Sequence, residues 1–348
     1  METLKQIAGL DKTRRYVFFV ELFDTGHGKD FVKYLASLPE DVVTEFLAGF
    51  HKYEQDRIRE DISGMGVVSE EEGQRSATYL QDVLNRLDEL MEKQKKMTED
   101  TVRQTTINRD FMKEWLTRDK AISDQVKGLP CPPLEKPVPE GSEVMELPKP
   151  TPDCLSSNDL YMAIEKRQSK RKFTDEPLSL EELSFLLWST QGVKKVVANG
   201  QVSIRTVPSA GARHPFETYI GINNVTGLKP GIYRYLGIEH KLEFLFDDDK
   251  MVEHLVDVGV GQRFVGNCAA CFIWSCIPYR GEWRYGVASH KNMLLDAGHV
   301  CQNLYLACEA IGCGTCAIGA YNQELADQYL KLDGNDEFVV YLSPVGKL

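Results

Sequence analysis

Eight of the fifteen prolines fall between residues 128 and 153, in the run from Gly128 to Glu140 and again from Leu147 to Pro152. Proline fixes φ and carries no N–H, so this stretch can be neither a helix nor an inner strand. It must run extended, without hydrogen bonds of its own. The chain is therefore divided into a part before this arm and a part after it, and the two read differently.

The part before is helical. Phe31, Val32, Tyr34, Leu35 and Leu38 form one apolar stripe, and Val42, Val43, Phe46, Leu47 and Phe50 form another, with Pro39 suited to a first turn. Leu80, Val83, Leu84, Leu87 and Met91 continue at helical spacing and predict one long amphipathic helix. The first 100 residues hold a single proline and no alternating run. Residues 1–105 are expected to form an all-helical module, 106–153 a proline-rich arm or linker, and 154–348 the main domain. Nothing in the module looks chemical; it either packs on the main domain or a second copy, or docks a peptide or protein partner.

The part after alternates. Leu160–Ile164 opens a helix that leads into Arg167, and Ser179 with Glu182 predicts a capping box for a helix over 180–190. Residues 218–223 read as a strand, 231–235 and 242–245 as a hairpin, and 338–342 as a closing strand. Met293 through Ile311 line a long helix stopped by Gly312. Helices interleaved with strands give an α+β layered domain.

The net charge of −11 argues against a nucleic-acid-binding protein, which would normally show a basic stripe. No apolar run approaches the ~20 residues that span a bilayer. The first residues lack a basic segment followed by an apolar one, so a cytoplasmic protein is expected. Nine cysteines then read as reduced thiols. Two CxxC pairs, Cys268/Cys271 and Cys313/Cys316, can suggest a metal or a dithiol. Residues three apart in a strand point to opposite faces, so buried small hydrophobes are the preferred reading and no metal site is assigned.

Four motifs carry chemistry. Arg167, Ser169 and Arg171 set two forked cations around a hydroxyl, which suits a phosphate monoester. Pro208, Ser209, Ala210 and Gly211 make a small-residue turn that lets backbone approach a flat ring. Gly312 to Ala320 is a glycine-rich helix exit; its Gly312-x-Gly314 pair follows a helix and lacks dinucleotide spacing, so no separate nicotinamide domain is indicated. Lys347 follows Pro344-Val345-Gly346 at the end of the last strand. It is either a frayed surface charge or a third cation for the phosphate.

In this order, the four motifs resemble the nitroreductase superfamily of FMN enzymes, with the SagB-type dehydrogenase branch the most similar, over roughly residues 107–348. The resemblance implies an α+β nitroreductase-like fold: a central mixed sheet flanked by helices, dimeric, here with an all-helical N-terminal extension. It implies that Arg167 and Ser169 hold the FMN phosphate and that Arg171 lies toward the ring. Lys347 would join the grip. Pro208, Ser209, Ala210 and Gly211 would lie on the isoalloxazine from the opposite subunit of a homodimer. Ile318, Gly319 and Ala320 would present backbone to flavin N5.

The implied activity is ping-pong hydride transfer from NAD(P)H through N5 to a small electrophilic acceptor. The alternative is a SagB-type dehydrogenase acting on an azoline-type peptide. In that branch a Lys-Tyr pair assists deprotonation; this sequence has Arg284 before Tyr285, and arginine is a poor base. Tyr285 remains a candidate donor to substrate. His214 is either a substrate-facing proton donor or a histidine that fixes the turn.

Overall fold

The computed structural model describes residues 2–50, 52–113 and 121–348. The arm expected over 106–153 thus lies partly outside the described residues, at 114–120. The chain separates into two compact units, Met1–Asp110 and Phe111–Leu348.

The first unit contains α1 (Glu2–Ala8), α2 (Lys12–Asp24), α3 (Gly28–Ala36), α4 (Glu40–Leu47), α5 (Lys52–Gly64), α6 (Glu70–Asn85) and α7 (Leu87–Phe111). Ile7, Phe18, Leu22, Leu35, Leu47 and Leu80 are fully buried and close one core. The apolar positions from Leu80 to Met91 do not make a single helix. A Ser69–Glu72 capping box starts α6, Arg86 caps it, and α7 begins at Leu87. Both halves keep the apolar stripe, because a one-residue break leaves the spacing almost in phase.

The second unit carries α8 (Leu160–Lys166), α9 (Leu180–Gln191), α10 (Met251–Val258), α11 (Arg263–Gly266), α12 (Tyr279–Tyr285), α13 (Ser289–Ala310) and α14 (Gln323–Tyr329). Its strands are β1 (Glu143–Glu146), β2 (Val193–Val197), β3 (Val202–Arg205), β4 (Phe216–Ile222), β5 (Gly231–Leu236), β6 (Lys241–Phe246), β7 (Ala270–Cys276), β8 (Cys313–Thr315) and β9 (Phe338–Lys347). β2 and β3 form a separate hairpin, and the rest make one sheet in the order β1-β6-β5-β4-β7-β9-β8. Its ladders are antiparallel, and parallel bridges at Ser169–Thr315 and Leu178–Val225 make it mixed.

Every residue of β4, β5 and β7 is buried, which requires cover on both faces. α9 and α13 pack one face through Leu183, Leu187, Val300 and Leu304. α10, α11 and α14 pack the other through Leu255, Val265 and Ala326. The Ser179–Glu182 capping box is present, and Gly312 takes φ +70° where α13 stops.

The proline arm is strapped to the body of its own unit. Three of its carbonyls accept from buried side chains: Leu134 O from Arg205 Nη2 at 3.1 Å, Pro137 O from Arg234 Nη2 at 3.1 Å, and Leu129 O from Trp283 Nε1 at 3.0 Å. Lys136 donates its backbone N–H to Glu217 (2.9 Å) and its ammonium to Tyr219 Oη (3.0 Å), and forms an ion pair with Glu337. The arm ends as β1 on the edge of β6. Arg205, at the end of β3, is thus spent on the arm.

The two CxxC pairs differ. Cys313 faces the α9/α13 core and Cys316 the α10/α14 core, as strand alternation requires. Cys268 and Cys271 depart from the expected opposition, because Cys268 precedes β7 and both thiols share one core. A hydrogen bond from the Cys271 thiol to Cys268, together with burial, pushes the Cys271 pKa well above its ordinary value. Among the described residues no group of three or more His, Cys, Asp or Glu could hold a metal ion.

Candidate functional site

α8 ends at Arg167, which leaves helical geometry and sends the chain along the sheet edge. Ser169 bridges Thr315 of β8, and Lys170 N donates to Thr315 O at 2.9 Å. The approach is close enough that a Cβ on Gly314 would meet the Lys170 side chain at 2.7 Å. This is one reason that the helix exit is glycine-rich.

Tyr305 of α13 ties the first and third motifs together. Its hydroxyl lies 2.9 Å from Ser169 Oγ and accepts the Ala317 N–H at 2.8 Å. The Arg167 guanidinium sits 5.3 Å from its ring centroid, a cation–π distance. Ile318 is then pinned by its N–H to Leu342 O at 2.8 Å, leaving Gly319 and Ala320 exposed beyond it. Ala320 O accepts from Gln262 Nε2 at 3.1 Å, and Arg171 lies 6.0 Å from the ring of Phe264, two residues further on. Tyr305 escaped sequence reasoning because it fits the apolar stripe of α13, where nothing marks the hydroxyl as used.

Neither Arg167 nor Arg171 has an ion-pair partner among the described residues, whereas Lys347 does. Its ammonium is paired with Glu182, which also accepts the Ser179 N–H in the α9 capping box. The expected third cation is therefore engaged elsewhere.

The second motif joins the Arg284–Tyr285 pair. Gly211 adopts φ +60°, and a Cβ there would clash with Tyr285 Oη. Two independent reasons thus demand glycine: the left-handed backbone and the phenol against it. The Asp296 carboxylate of α13 fixes the turn, accepting the Ala210 N–H at 3.3 and 3.2 Å and the Ser209 hydroxyl. Burial raises the Asp296 pKa, opposed by those same hydrogen bonds. Gly211→Ala should cost about 1–2 kcal/mol of stability from the backbone alone. It should also displace Tyr285, which a urea titration and the Tyr285 environment in a crystal structure would check.

His214 is buried and its pKa is pushed down to about 3, by burial first and then by Arg205, Arg213 and Arg280. Its backbone N–H donates to Ser209 Oγ at 2.9 Å. A ring so depressed stays a neutral imidazole near neutral pH, and its hydrogen bond to the Ser203 backbone supports the turn-fixing role over that of an imidazolium acid.

The two clusters hang on one helix. Asp296 and Tyr305 are nine residues apart, about 13–14 Å along the axis and about half a turn around it. Within one chain the Pro208–Gly211 turn and the Arg167–Ser169 grip therefore occupy opposite sides of α13. Chemically, the Tyr305 side offers unpaired guanidiniums, hydroxyls and open backbone, with no atom within 4 Å of a Cβ built on Gly319. Such a set fits a phosphate monoester joined to a flat ring. The Asp296 side offers a small-residue turn backed by a phenol.

A model of the nitroreductase family matches residues 164–347. That is just over half of the chain, which belongs to this family of oxidoreductases. The chain is 29% identical over 205 residues to MJ1384 of Methanocaldococcus jannaschii, a protein named as a nitroreductase, covering 59% of this chain and 98% of that one. It is 26% identical over 163 residues to the trifolitoxin-processing protein TfxB of Rhizobium leguminosarum bv. trifolii, covering 45% of this chain and 44% of TfxB. A nitroreductase-named crystal structure from Ralstonia eutropha JMP134 is similar at a TM-score of 0.49 and 26% identity, covering 63% of this chain and 98% of that one. No helix among the described residues is long and apolar enough to cross a membrane.

Proposed function

We propose that the protein is an FMN-dependent oxidoreductase that passes electrons from NAD(P)H to a small electrophilic acceptor, with the flavin held between two copies of the chain. The observation that carries this reading is the Tyr305 hydroxyl, which gathers Ser169 and Ala317 beneath a guanidinium that has no carboxylate partner among the described residues. Arg167 and Ser169 would hold the phosphate, and Arg171 would face the ring. Ile318, Gly319 and Ala320 would lie along it, and Pro208, Ser209, Ala210 and Gly211 of a second copy would cover it. The opposite placement of Asp296 and Tyr305 on α13 supports the homodimer, because one chain does not bring both halves together. Lys347 is left out of the grip, since Glu182 holds it.

When bound, FMN supplies hydride acceptance and release at N5, which lets donor and acceptor use one pocket in turn. This chain's own residues orient and neutralise. The two arginines balance the phosphate and ring charge, Asp296 fixes the covering turn, and Tyr285 offers a hydroxyl toward substrate from its seat against Gly211.

A second reading, a flavin dehydrogenase acting on a modified peptide, is favoured by the similarity to TfxB. Arg284 weighs against it, because its guanidinium lies over the Tyr285 ring at 5.3 Å where that chemistry wants a base. An anaerobic visible spectrum, with NADH and then NADPH added, tests both. Flavin bands that bleach within the mixing time are expected. Bands that stay oxidised with either nicotinamide would favour the peptide dehydrogenase, and no flavin after reconstitution would overturn both.

A further inference from the structure

The helical unit carries a feature that the oxidoreductase reading does not use. α2, α3 and α5 enclose an open groove of about 1970 Å³. Phe19, Val32, Phe50 and Ile58 line its half-buried apolar surface, and Tyr16 at the edge is 63% exposed. A helix about 10 Å across fills that volume over roughly 25 Å, or about 16 residues. The space is far larger than a metabolite needs.

The charges on its walls are uneven. Lys12, Arg15, Lys29 and Lys33 line the groove from α2 and α3, whereas Glu60 and Asp61 line it from α5. Lys12, Lys29 and Lys33 have no ion-pair partner among the described residues, in a chain whose net charge is −11. Arg15 donates Nη2 to Ala8 O and Leu10 O, and its guanidinium lies 5.2 Å from the Phe50 ring. Its Nε is buried without an acceptor.

We infer that this groove docks an amphipathic peptide segment, about four turns of helix, whose apolar side chains seat on Phe19, Phe50 and Ile58. Its carboxylates face the α2/α3 wall. A carboxylate is the group that satisfies the Lys12–Lys29–Lys33 wall. Glu60 and Asp61 repel acidic residues from the α5 side and so fix which way the segment lies. The inference rests on residues 12–65 alone and stands or falls independently of the flavin reading.

Display of random 16-residue peptides on the full-length protein tests it. The expected selection enriches Asp and Glu flanking Phe, Leu or Ile at i, i+3, i+4 spacing. Binding of a selected peptide, read by fluorescence anisotropy, should weaken at least tenfold for Lys29→Glu/Lys33→Glu and on raising NaCl from 0.15 to 0.5 M. Lys12→Glu, at an exposed position, gives the same sign should the double variant lose helicity by circular dichroism. Enrichment without acidic residues, binding indifferent to the charge reversals, or no enrichment at all would overturn the inference. So would self-association that Lys29→Glu/Lys33→Glu abolishes, because the groove would then belong to a second copy.

Discussion

Replacing Arg167 by alanine is expected to weaken FMN binding by about 10- to 150-fold, the equivalent of one charge-assisted phosphate contact at about 1.5–3 kcal/mol. The folded chain itself should scarcely respond. Arg167 is half-buried and has no ion-pair partner among the described residues, so its removal strands no carboxylate. Its contact is the face of Tyr305, which remains packed in α13. Arg167→Lys keeps the charge but loses the fork, and should recover only part of the affinity. Equilibrium dialysis with FMN, set beside thermal unfolding of the apoprotein, separates the two effects. Full flavin occupancy in the alanine variant would reduce Arg167 to a surface charge.

The second large effect concerns acid stability. Folding moves the His214 pKa from its ordinary 6.5 to about 3. The unfolded chain therefore binds this proton more readily than the folded one across that window. Stability is fully present above pH 6.5 and is lost as the pH falls, at up to about 1.4 kcal/mol per pH unit. Between pH 6.5 and 4.5 His214 alone should remove about 2–3 kcal/mol. His214 has φ +45°, which asparagine tolerates best among polar substitutes, so His214→Asn is the comparison to make. Urea midpoints should fall more gently with acid in the variant than in the wild type. Asp296 works in the opposite sense, since its raised pKa makes the ionised form the costly one. Parallel slopes for both proteins would show that His214 is not buried neutral.

Several self-contained local signals were legible, although the Ser69–Glu72 box and the break at Arg86 were not. The Ser179–Glu182 box needs three intervening bonds of backbone and nothing else, and it forms as read. The hairpin of β5 and β6 and the glycine stop of α13 are equally local. What has no trace in the sequence is mostly of the opposite kind. A tyrosine in an apolar stripe gives no sign that its hydroxyl bridges Ser169 and Ala317, because those partners lie 136 and 12 residues away in sequence. Asp296 sits among hydrophobic neighbours for the sake of a turn 86 residues earlier. The pairing of Lys347 with Glu182, 165 residues upstream, likewise has no local trace. The face of Cys268 depended on where β7 begins, a boundary that spacing alone leaves loose.

The arm has a consequence for how the catalytic domain comes into being. Arg205 and Arg234 are buried beneath it, and each gives one guanidinium hydrogen bond to an arm carbonyl. A polypeptide leaving the ribosome exposes residues 128–150 before any strand from β2 onward exists. The arm must therefore wait, unpaired, until the sheet that needs it has been made. Once it docks, it completes the interior, and a chain cut to the family-matching region at residue 164 would start life with two cations short of an acceptor. The segment that looks most like a linker in the sequence is, in this sense, part of the core, and it cannot be paired until the strands it covers have been made.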